Sequence, residues 1–322
     1  MEDRRAQVER SGGPVTGAAG GPRRGTYSVV AHDPETGELG VAVQSHWFSV
    51  GSVVSWAETG VGAVATQSIA EPAYGPRLLE HLRGGRSPGQ ALDDLLAADE
   101  QARFRQVAVV DATGEVAVHT GDGCIRFAGH TEGTGFSVQA NMMATPDVWP
   151  AMAEAFADPT GPLSRRLLAA LDAGEAAGGD VRGRQSAALV VVPAEGEPWR
   201  RTVELRIEDS RDPLGELRRL LDLADAYALA SEADDLVAEG RHDEAAERGR
   251  RALQLAPASV ELIFWGGLGM AQAGDLDGGL ELVRSAIEMH SGWRSLLARL
   301  DAEIAPAAPA VRAALDVSEE PG

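Results

Sequence analysis

A strong β-hairpin pattern near the start of the chain constrains the fold more than any other feature. Two β-rich runs, Tyr27–Ala31 and Leu39–Val43, flank the turn-rich segment 33–38. Val and Tyr favour strands, whereas Pro, Asp and Gly favour turns. Folding about this turn pairs Thr26 with Ser45. We therefore predict that a small hydroxyl residue begins the first strand, beside the polar end of the second.

The segments that follow alternate strand runs with pairs of helices. The predicted order is strands, two helices, strands, two helices and strands, which indicates two sheets packed face to face with the helices outside them. Ser186–Val192 is almost continuously apolar, as expected for a strand in a sheet covered on both faces. We predict an α+β fold for residues 26–209, a four-layer α/β/β/α sandwich.

From Pro213 onward the sequence predicts only helices, and it contains an internal repeat. Similar segments begin at Gly240 and Gly274, an offset of 34 residues. This is the period of the tetratricopeptide repeat. We predict a separable, all-α, tetratricopeptide-like domain over residues 210–322, with a disordered tail. Apolar residues around Trp265 exceed what two repeats can bury, which predicts a homodimer.

The charge of the chain excludes several classes of partner. The 49 acidic residues outnumber the 29 basic residues, and no lysine is present. An acidic surface disfavours nucleic acid and anionic membranes as partners. A single cysteine, Cys124, and the lack of an apolar leader predict a cytoplasmic protein. Histidine spacing predicts no metal site, and no motif predicts a cofactor. Residues 1–25 are expected to be a disordered extension or a propeptide.

Thr26 follows Gly25 directly, and this junction suggests one chemistry. An N-terminal threonine can attack an amide because its own α-amino group serves as the general base. That role requires the removal of residues 1–25. The alternatives are that translation starts later, or that Thr26 is an ordinary residue at the start of a strand.

Four segments with recognisable motifs follow one another in the chain: TYSVVAHDPETGELGVAVQSHWFSVG, GVGAVATQ followed by PAYGPR, Gln139–Asn141, and GGDVRGRQSAAL. In these segments the chain resembles the bacterial family called domain of unknown function 1028. The match covers roughly Thr26 to Ile207. The family is similar in fold to the N-terminal-nucleophile hydrolases, so the resemblance implies that fold more than any particular substrate.

The resemblance also implies roles for individual residues. Thr26 would be the nucleophile. Ser45, or Gln44 beside it, would occupy the position of an aspartate in proteasome-type enzymes, and Asp180 and Ser186 would orient the amino terminus. Asn141 is a candidate oxyanion donor, or alternatively a turn residue. Arg182 or His46 would replace the missing lysine. The candidates for substrate binding are the polar residues at strand ends and in these motifs: Gln44, His46, Thr66, Gln67, Gln139, Arg182 and Gln185.

These features lead to two predicted functions. The first is an N-terminal-nucleophile hydrolase that acts on a small amide or acyl-amide, with Thr26 as its nucleophile. The second is a non-catalytic binding or scaffold protein that keeps the fold. The absence of lysine and the blocked Thr26 nitrogen favour the second prediction.

Overall fold

The computed structural model describes residues 25–318, where strands and helices follow one another in a mixed α+β order. The extension or propeptide predicted for residues 1–25 lies outside the described residues except for Gly25, and so does the end of the predicted tail. The strands are β1 (Thr26–His32), β2 (Leu39–Ser45), β3 (Ser55–Glu58), β4 (Gly62–Ser68), β5 (Arg105–Asp111), β6 (Val116–Thr120), β7 (Gly129–Gly133), β8 (Phe136–Asn141), β9 (Ser186–Val192) and β10 (Val203–Ile207). The helices are α1 (Tyr74–Arg83), α2 (Pro88–Ala97), α3 (Val148–Phe156), α4 (Leu163–Ala176), α5 (Pro213–Ala238), α6 (His242–Leu255), α7 (Val260–Gln272), α8 (Leu276–Met289), α9 (Gly292–Arg299) and α10 (Ala308–Ala314).

The predicted hairpin and its register are confirmed. β1 and β2 are antiparallel, with Thr26 opposite Ser45. In the turn, a side-chain oxygen of Asp33 accepts hydrogen bonds from the backbone N–H groups of Glu35 and Thr36. Gly37 has a φ of 72°, a conformation that glycine adopts without steric cost. The local turn chemistry therefore fixes which residues of the two strands meet.

The strands form two antiparallel sheets. One has the order β10-β9-β2-β1-β8-β7, and the other has the order β3-β4-β5-β6. β7 was not predicted, since this edge strand is rich in glycine and polar residues and lacks an apolar pattern. The two sheets face each other across a buried aliphatic cluster that includes Val41, Ala65 and Val190.

Helices cover the outer faces of both sheets. α1 and α2 pack on the four-stranded sheet, around Leu78 and Leu92. α3 and α4 pack on the six-stranded sheet, around Met152 and Leu167. Both outer clusters are apolar, so each sheet contributes two buried faces to the core.

The first half of α5 belongs to the core of the six-stranded sheet. Leu214, Leu217 and Leu221 are buried in the same cluster as the side chains of α3 and α4. The second half of α5 packs on α6 and α7 through Ala226. The division between residues 209 and 210 stays a prediction, and this packing favours a later one within α5.

The remaining helices form their own apolar core around Phe264, Val283 and Val311. Gly267 of α7 and Gly279 of α8 are in close contact, because a Cβ on Gly279 would lie 2.5 Å from the Gly267 carbonyl oxygen. Glycine at position 279 therefore has a packing reason, although it weakens an isolated helix. Among residues 25–318, no helix is long and apolar enough to cross a membrane. The predicted homodimer stays a prediction.

Candidate active site

Four of the predicted site residues lie in one row across neighbouring strands. Thr26 pairs with Ser45 on one side and with Asn141 on the other, and Ser45 also pairs with Ser186. Residues that lie directly opposite each other in a sheet project from the same face. All four are buried, and the row faces the space between the two sheets. Strand register alone therefore gathers these polar residues at one end of the molecule.

The peptide bond before Thr26 is held by a short chain of hydrogen bonds. The Ser45 hydroxyl donates to the Gly25 carbonyl oxygen over 2.5 Å, and it lies 3.0 Å from the Thr26 hydroxyl oxygen. Ser45 has a single hydroxyl proton, which it gives to Gly25. The Thr26 hydroxyl must then donate to Ser45. This arrangement orients the Thr26 hydroxyl next to the Gly25 carbonyl group.

Arg182 provides a second donor to the same carbonyl. Its Nη2 atom lies 3.0 Å from the Gly25 oxygen. A guanidinium is permanently charged, and its hydrogen bonds are stronger than those of neutral donors. The Gly25 oxygen thus accepts from one neutral and one cationic donor, a pairing suited to stabilising negative charge.

Asp180 holds Arg182 in place. Its carboxylate accepts from the Arg182 backbone N–H at 2.9 Å, from Nε at 3.1 Å and from Nη2 at 2.8 Å. It also accepts from the backbone N–H of His46 at 3.1 Å. The carboxylate is buried, and these four bonds compensate its removal from water. Asp180 therefore holds Arg182 in the position from which it donates to the Gly25 carbonyl oxygen.

The carbonyl of Thr26 itself lies in a cluster of buried amides. Gln67 Nε2 donates to it at 3.3 Å and Asn141 Nδ2 at 3.4 Å. Both amides also donate to the side-chain oxygen of Gln106, at 2.8 and 3.0 Å. Sequence reasoning missed Gln106. Gln106 lies two residues before Ala108 in an apolar strand, so side-chain alternation places it on the same inward face as Ala108. This pattern could have identified it as a buried polar residue.

The cluster continues along β1 through the hydroxyl of Ser28. Ser28 donates to Gln67 Oε1 at 2.7 Å and accepts from Gln139 Nε2 at 2.6 Å. The predicted residue Gln139 thus reaches the Thr26 site through Ser28 and Gln67. Such buried polar networks rigidify a site when their members are paired.

Two strained residues border this cluster. Met142, with a φ of 59°, directly follows Asn141, and Ser68, with a φ of 70°, directly follows Gln67. Non-glycine residues in this conformation are uncommon, and they concentrate at functional sites. Ser68 is the last residue of β4 and Met142 directly follows β8, and each comes immediately after the amide side chain that donates to the Thr26 carbonyl.

The side chains of several predicted site residues make their hydrogen bonds to groups other than Thr26. Ser186 donates to the Trp47 carbonyl and accepts from the Val50 N–H, so its hydroxyl holds the loop after β2. Gln185 bonds Asp209. Thr66 bonds the Glu71 carbonyl on the face covered by α1, because strand alternation points it away from its neighbour Gln67.

Gln44 and His46, two further predicted site residues, have polar atoms that are buried without a hydrogen bond. Gln44 is buried opposite Tyr27, on the face that packs against α4, so it lies across the sheet from Ser45. Neither polar atom of its side chain has a hydrogen-bond partner. His46 contacts Asp180 through its backbone, while its Nδ1 atom is buried without a hydrogen bond. The roles predicted for Gln44, Thr66, Gln185 and Ser186 stay predictions.

Burial shifts the pKa values of two titratable groups near this end. Burial raises the pKa of the Cys124 thiol, which opposes formation of a thiolate. Burial lowers the pKa of His130, whose Nδ1 atom lies 2.8 Å from the Thr120 hydroxyl oxygen. Within residues 25–318, no group of three or more His, Cys, Asp or Glu side chains is arranged to hold a metal ion.

Comparisons with known proteins agree with this description. The family model described as "Family of unknown function (DUF1028)" matches residues 26–217. The crystal structure of protein SPO2555 from Silicibacter pomeroyi, which carries the same family designation, is 34% identical to this chain. It covers 62% of this chain and 89% of its own, with a TM-score of 0.57.

A second solved structure is far less similar. Anbu (ancestral beta-subunit) from Yersinia bercovieri is 12% identical, covers 60% of this chain and 91% of its own, and gives a TM-score of 0.31. A TM-score this low establishes no shared fold. No curated protein sequence is significantly similar to the chain. The family model matches more than half of the residues, from the start of β1 into α5, and the chain belongs to the DUF1028 family.

Proposed function

We infer that this protein is an N-terminal-nucleophile amide hydrolase whose nucleophile, Thr26, is released by cleavage of the Gly25–Thr26 bond. The observation that carries the proposal is the hydrogen-bonded chain from Thr26 through Ser45 to the Gly25 carbonyl, with Arg182 as the second donor. The substrate class proposed is a small amide or acyl-amide.

The same arrangement supports cleavage by the chain itself. The Thr26 oxygen would bond to the carbonyl carbon of Gly25, while Ser45 and Arg182 stabilise the charge that develops on the carbonyl oxygen. The carbon–nitrogen bond would then break, and the threonine proton would end on the Thr26 nitrogen. Water would hydrolyse the resulting ester, leaving a carboxylate on Gly25 and a free amino group on Thr26.

The freed amino group completes the machinery for added substrates. An α-amino group has a pKa near ~8, so a fraction is unprotonated at neutral pH and can take the Thr26 hydroxyl proton. Thr26 would attack the substrate amide, form an ester and release the amine, to which the proton passes. Arg182 supplies the positive charge that lysine supplies in proteasome-type enzymes.

The proposal includes the fold class predicted above. Two facing sheets with helices on their outer faces support an N-terminal-nucleophile-type four-layer sandwich. For the helical region, α6 and α8 are both 14 residues long and begin 34 residues apart. This spacing supports tetratricopeptide-like helix pairs.

Intact-mass spectrometry of the purified full-length protein tests the proposal. We expect a species that begins at Thr26 in the wild type and in Thr26→Ser, and only the full-length chain in Thr26→Ala. Thr36→Ala, an exposed threonine in the hairpin turn, is the matched control and should be cleaved normally. A folded wild-type protein that stays full length would overturn the proposal.

The alternative function is a non-catalytic binding or scaffold protein. The observation that favours it is the complete burial of Thr26 in the uncleaved chain. If wild type and Thr26→Ala stay full length and are equally stable, this alternative takes precedence over the hydrolase.

A further inference from the structure

We propose that the site selects amides whose acyl group has an unsubstituted α-carbon, such as glycyl amides. This inference rests on the proposed function, in which the acyl group of an added substrate takes the place that Gly25 occupies in the uncleaved chain. The shape of the space around Gly25 then determines which acyl groups react.

Asp180 closes the space beside the α-carbon of Gly25. A Cβ built on Gly25 in the L configuration would lie 2.7 Å from Oδ2, 2.8 Å from Oδ1 and 2.9 Å from Cγ of Asp180. Carbon–oxygen contacts this short are repulsive, because attractive contacts between non-bonded heavy atoms begin near ~3.5 Å. An alanyl group in this position therefore has to displace Asp180 or bind in another pose.

Displacement of Asp180 is unfavourable because its carboxylate is fixed on several sides. Its oxygens accept the four hydrogen bonds from His46 and Arg182, and the side chain is buried. A shift would weaken charge-assisted bonds in a site with little water. It would also move Arg182, which donates to the oxygen of the carbonyl group whose carbon is attacked. A side chain on the α-carbon thus costs both binding and transition-state stabilisation.

The selectivity is measured with two chromogenic substrates on the protein that has cleaved itself. The probes are N-acetylglycyl 4-nitroanilide and N-acetyl-L-alanyl 4-nitroanilide, which differ by one methyl group. A single methyl or methylene group changes kcat/KM by roughly 10- to 200-fold in a shaped pocket. We expect kcat/KM for the glycyl substrate to exceed that for the alanyl substrate by at least about 10-fold.

The outcomes separate this inference from the proposed function. Equal hydrolysis of both anilides, lost in Thr26→Ala, would overturn the selectivity and leave the hydrolase intact. Hydrolysis of neither anilide would overturn both.

Self-cleavage at the Gly25–Thr26 bond provides an independent test of the selectivity. Gly25→Ala should slow self-cleavage of the full-length protein by at least about 10-fold. Gly89→Ala is the matched control, since a Cβ there meets nothing within 4 Å, and it should be cleaved at the wild-type rate. Normal cleavage of Gly25→Ala would overturn the selectivity alone, whereas an uncleaved wild type would overturn the proposed function.

Discussion

The β-rich region from Thr26 to Ile207 and the helical region from Pro213 onward bury different kinds of side chain. Both have well-packed apolar cores. Among the described residues, however, the buried polar and charged side chains lie almost entirely in the β-rich region, and only Arg312 lies in the helical one. Arg312 donates to carbonyl oxygens at the end of α9, so its burial has a structural explanation.

The buried polar residues of the β-rich region are concentrated around Thr26. An apolar side chain stabilises a core without requiring partners, whereas each buried amide or hydroxyl must find a hydrogen bond to offset its desolvation. The amide nitrogens of Gln67 and Asn141 find those bonds with Gln106 and with the Thr26 carbonyl, whereas the Asn141 side-chain oxygen is buried without a hydrogen bond. Polar burial among the described residues is therefore concentrated at Thr26, the residue that we propose as the nucleophile.

The largest expected effect is the loss of cooperative unfolding in a chain that is cut before the β-rich region is complete. A chain cut after Asp209 loses Leu214, Leu217 and Leu221, and burial of each leucine contributes about 2–5 kcal/mol. We expect that fragment to show no cooperative thermal transition by circular dichroism. A chain cut after Gly240 keeps these leucines and should melt cooperatively. Cooperative melting of both fragments would place the boundary at residue 209, as predicted from the sequence.

The second-largest expected effect is the loss of stability caused by a substitution in the helical core. Phe264→Ala removes a fully buried ring that lies 4.8 Å from Trp293, and it should lower the free energy of unfolding by about 3–5 kcal/mol. Urea denaturation measures this loss, and self-cleavage of the folded fraction should be unchanged. Phe48→Ala, at a ring that is 63% exposed, is the control for stability. Slower cleavage in Phe264→Ala would show that the helical region supports the site.

Ser45→Ala tests the polar region directly. The change removes one donor to the Gly25 carbonyl and the acceptor of the Thr26 hydroxyl, so we expect self-cleavage to slow by about 100-fold or more. Ser55→Ala is the matched control, because Ser55 is a buried strand serine that donates to the Gly51 carbonyl and is not part of the row around Thr26. Time-resolved intact-mass spectrometry gives both rates. Equal slowing in the two variants would mean that Ser45 acts only through the packing of the sheet.

A smaller effect is expected from the amide cluster. Gln106→Leu keeps a similar volume but removes one of the two acceptors that Gln67 and Asn141 share, at a cost of about 1–3 kcal/mol of stability. The control is Gln272→Leu, at an exposed position in α7, which should change stability by less than about 0.5 kcal/mol. Denaturant titration of both variants compares the two regions. A neutral Gln106→Leu would show that the cluster contributes nothing to the fold.

The smallest effect is a pH dependence from His130. Burial lowers its pKa in the folded protein, while the positive charge of the protonated form is opposed by His119 and favoured by Glu132. The unfolded chain therefore binds more protons below its ordinary pKa of 6.5, and stability falls as the pH drops through that region. His130→Gln should lose less stability than the wild type between pH 7 and pH 5. Parallel pH profiles of the two proteins would contradict this prediction.

The sequence predicted the site in the parts where local chemistry decides the structure. The turn at Asp33 and Gly37 set the register of β1 and β2, and that register placed Thr26 beside Ser45. Gln44 and Thr66 were grouped with their polar neighbours Ser45 and Gln67, although adjacent residues in a strand face opposite sides of the sheet. The strict alternation of side chains along a strand is therefore the pattern that separates them.

The sequence by itself determined most of the strands, the paired helices and the hairpin register, because these depend on turn residues and on apolar periodicity over short distances. Only the tertiary structure decided that β8 lies beside β1, that Gln106 on the other sheet joins the site, and that Asp180 and Arg182 reach Gly25. It also decided that the start of α5 completes the core of the six-stranded sheet. Such contacts join residues far apart in the chain. They follow from how whole layers pack, which no local pattern specifies.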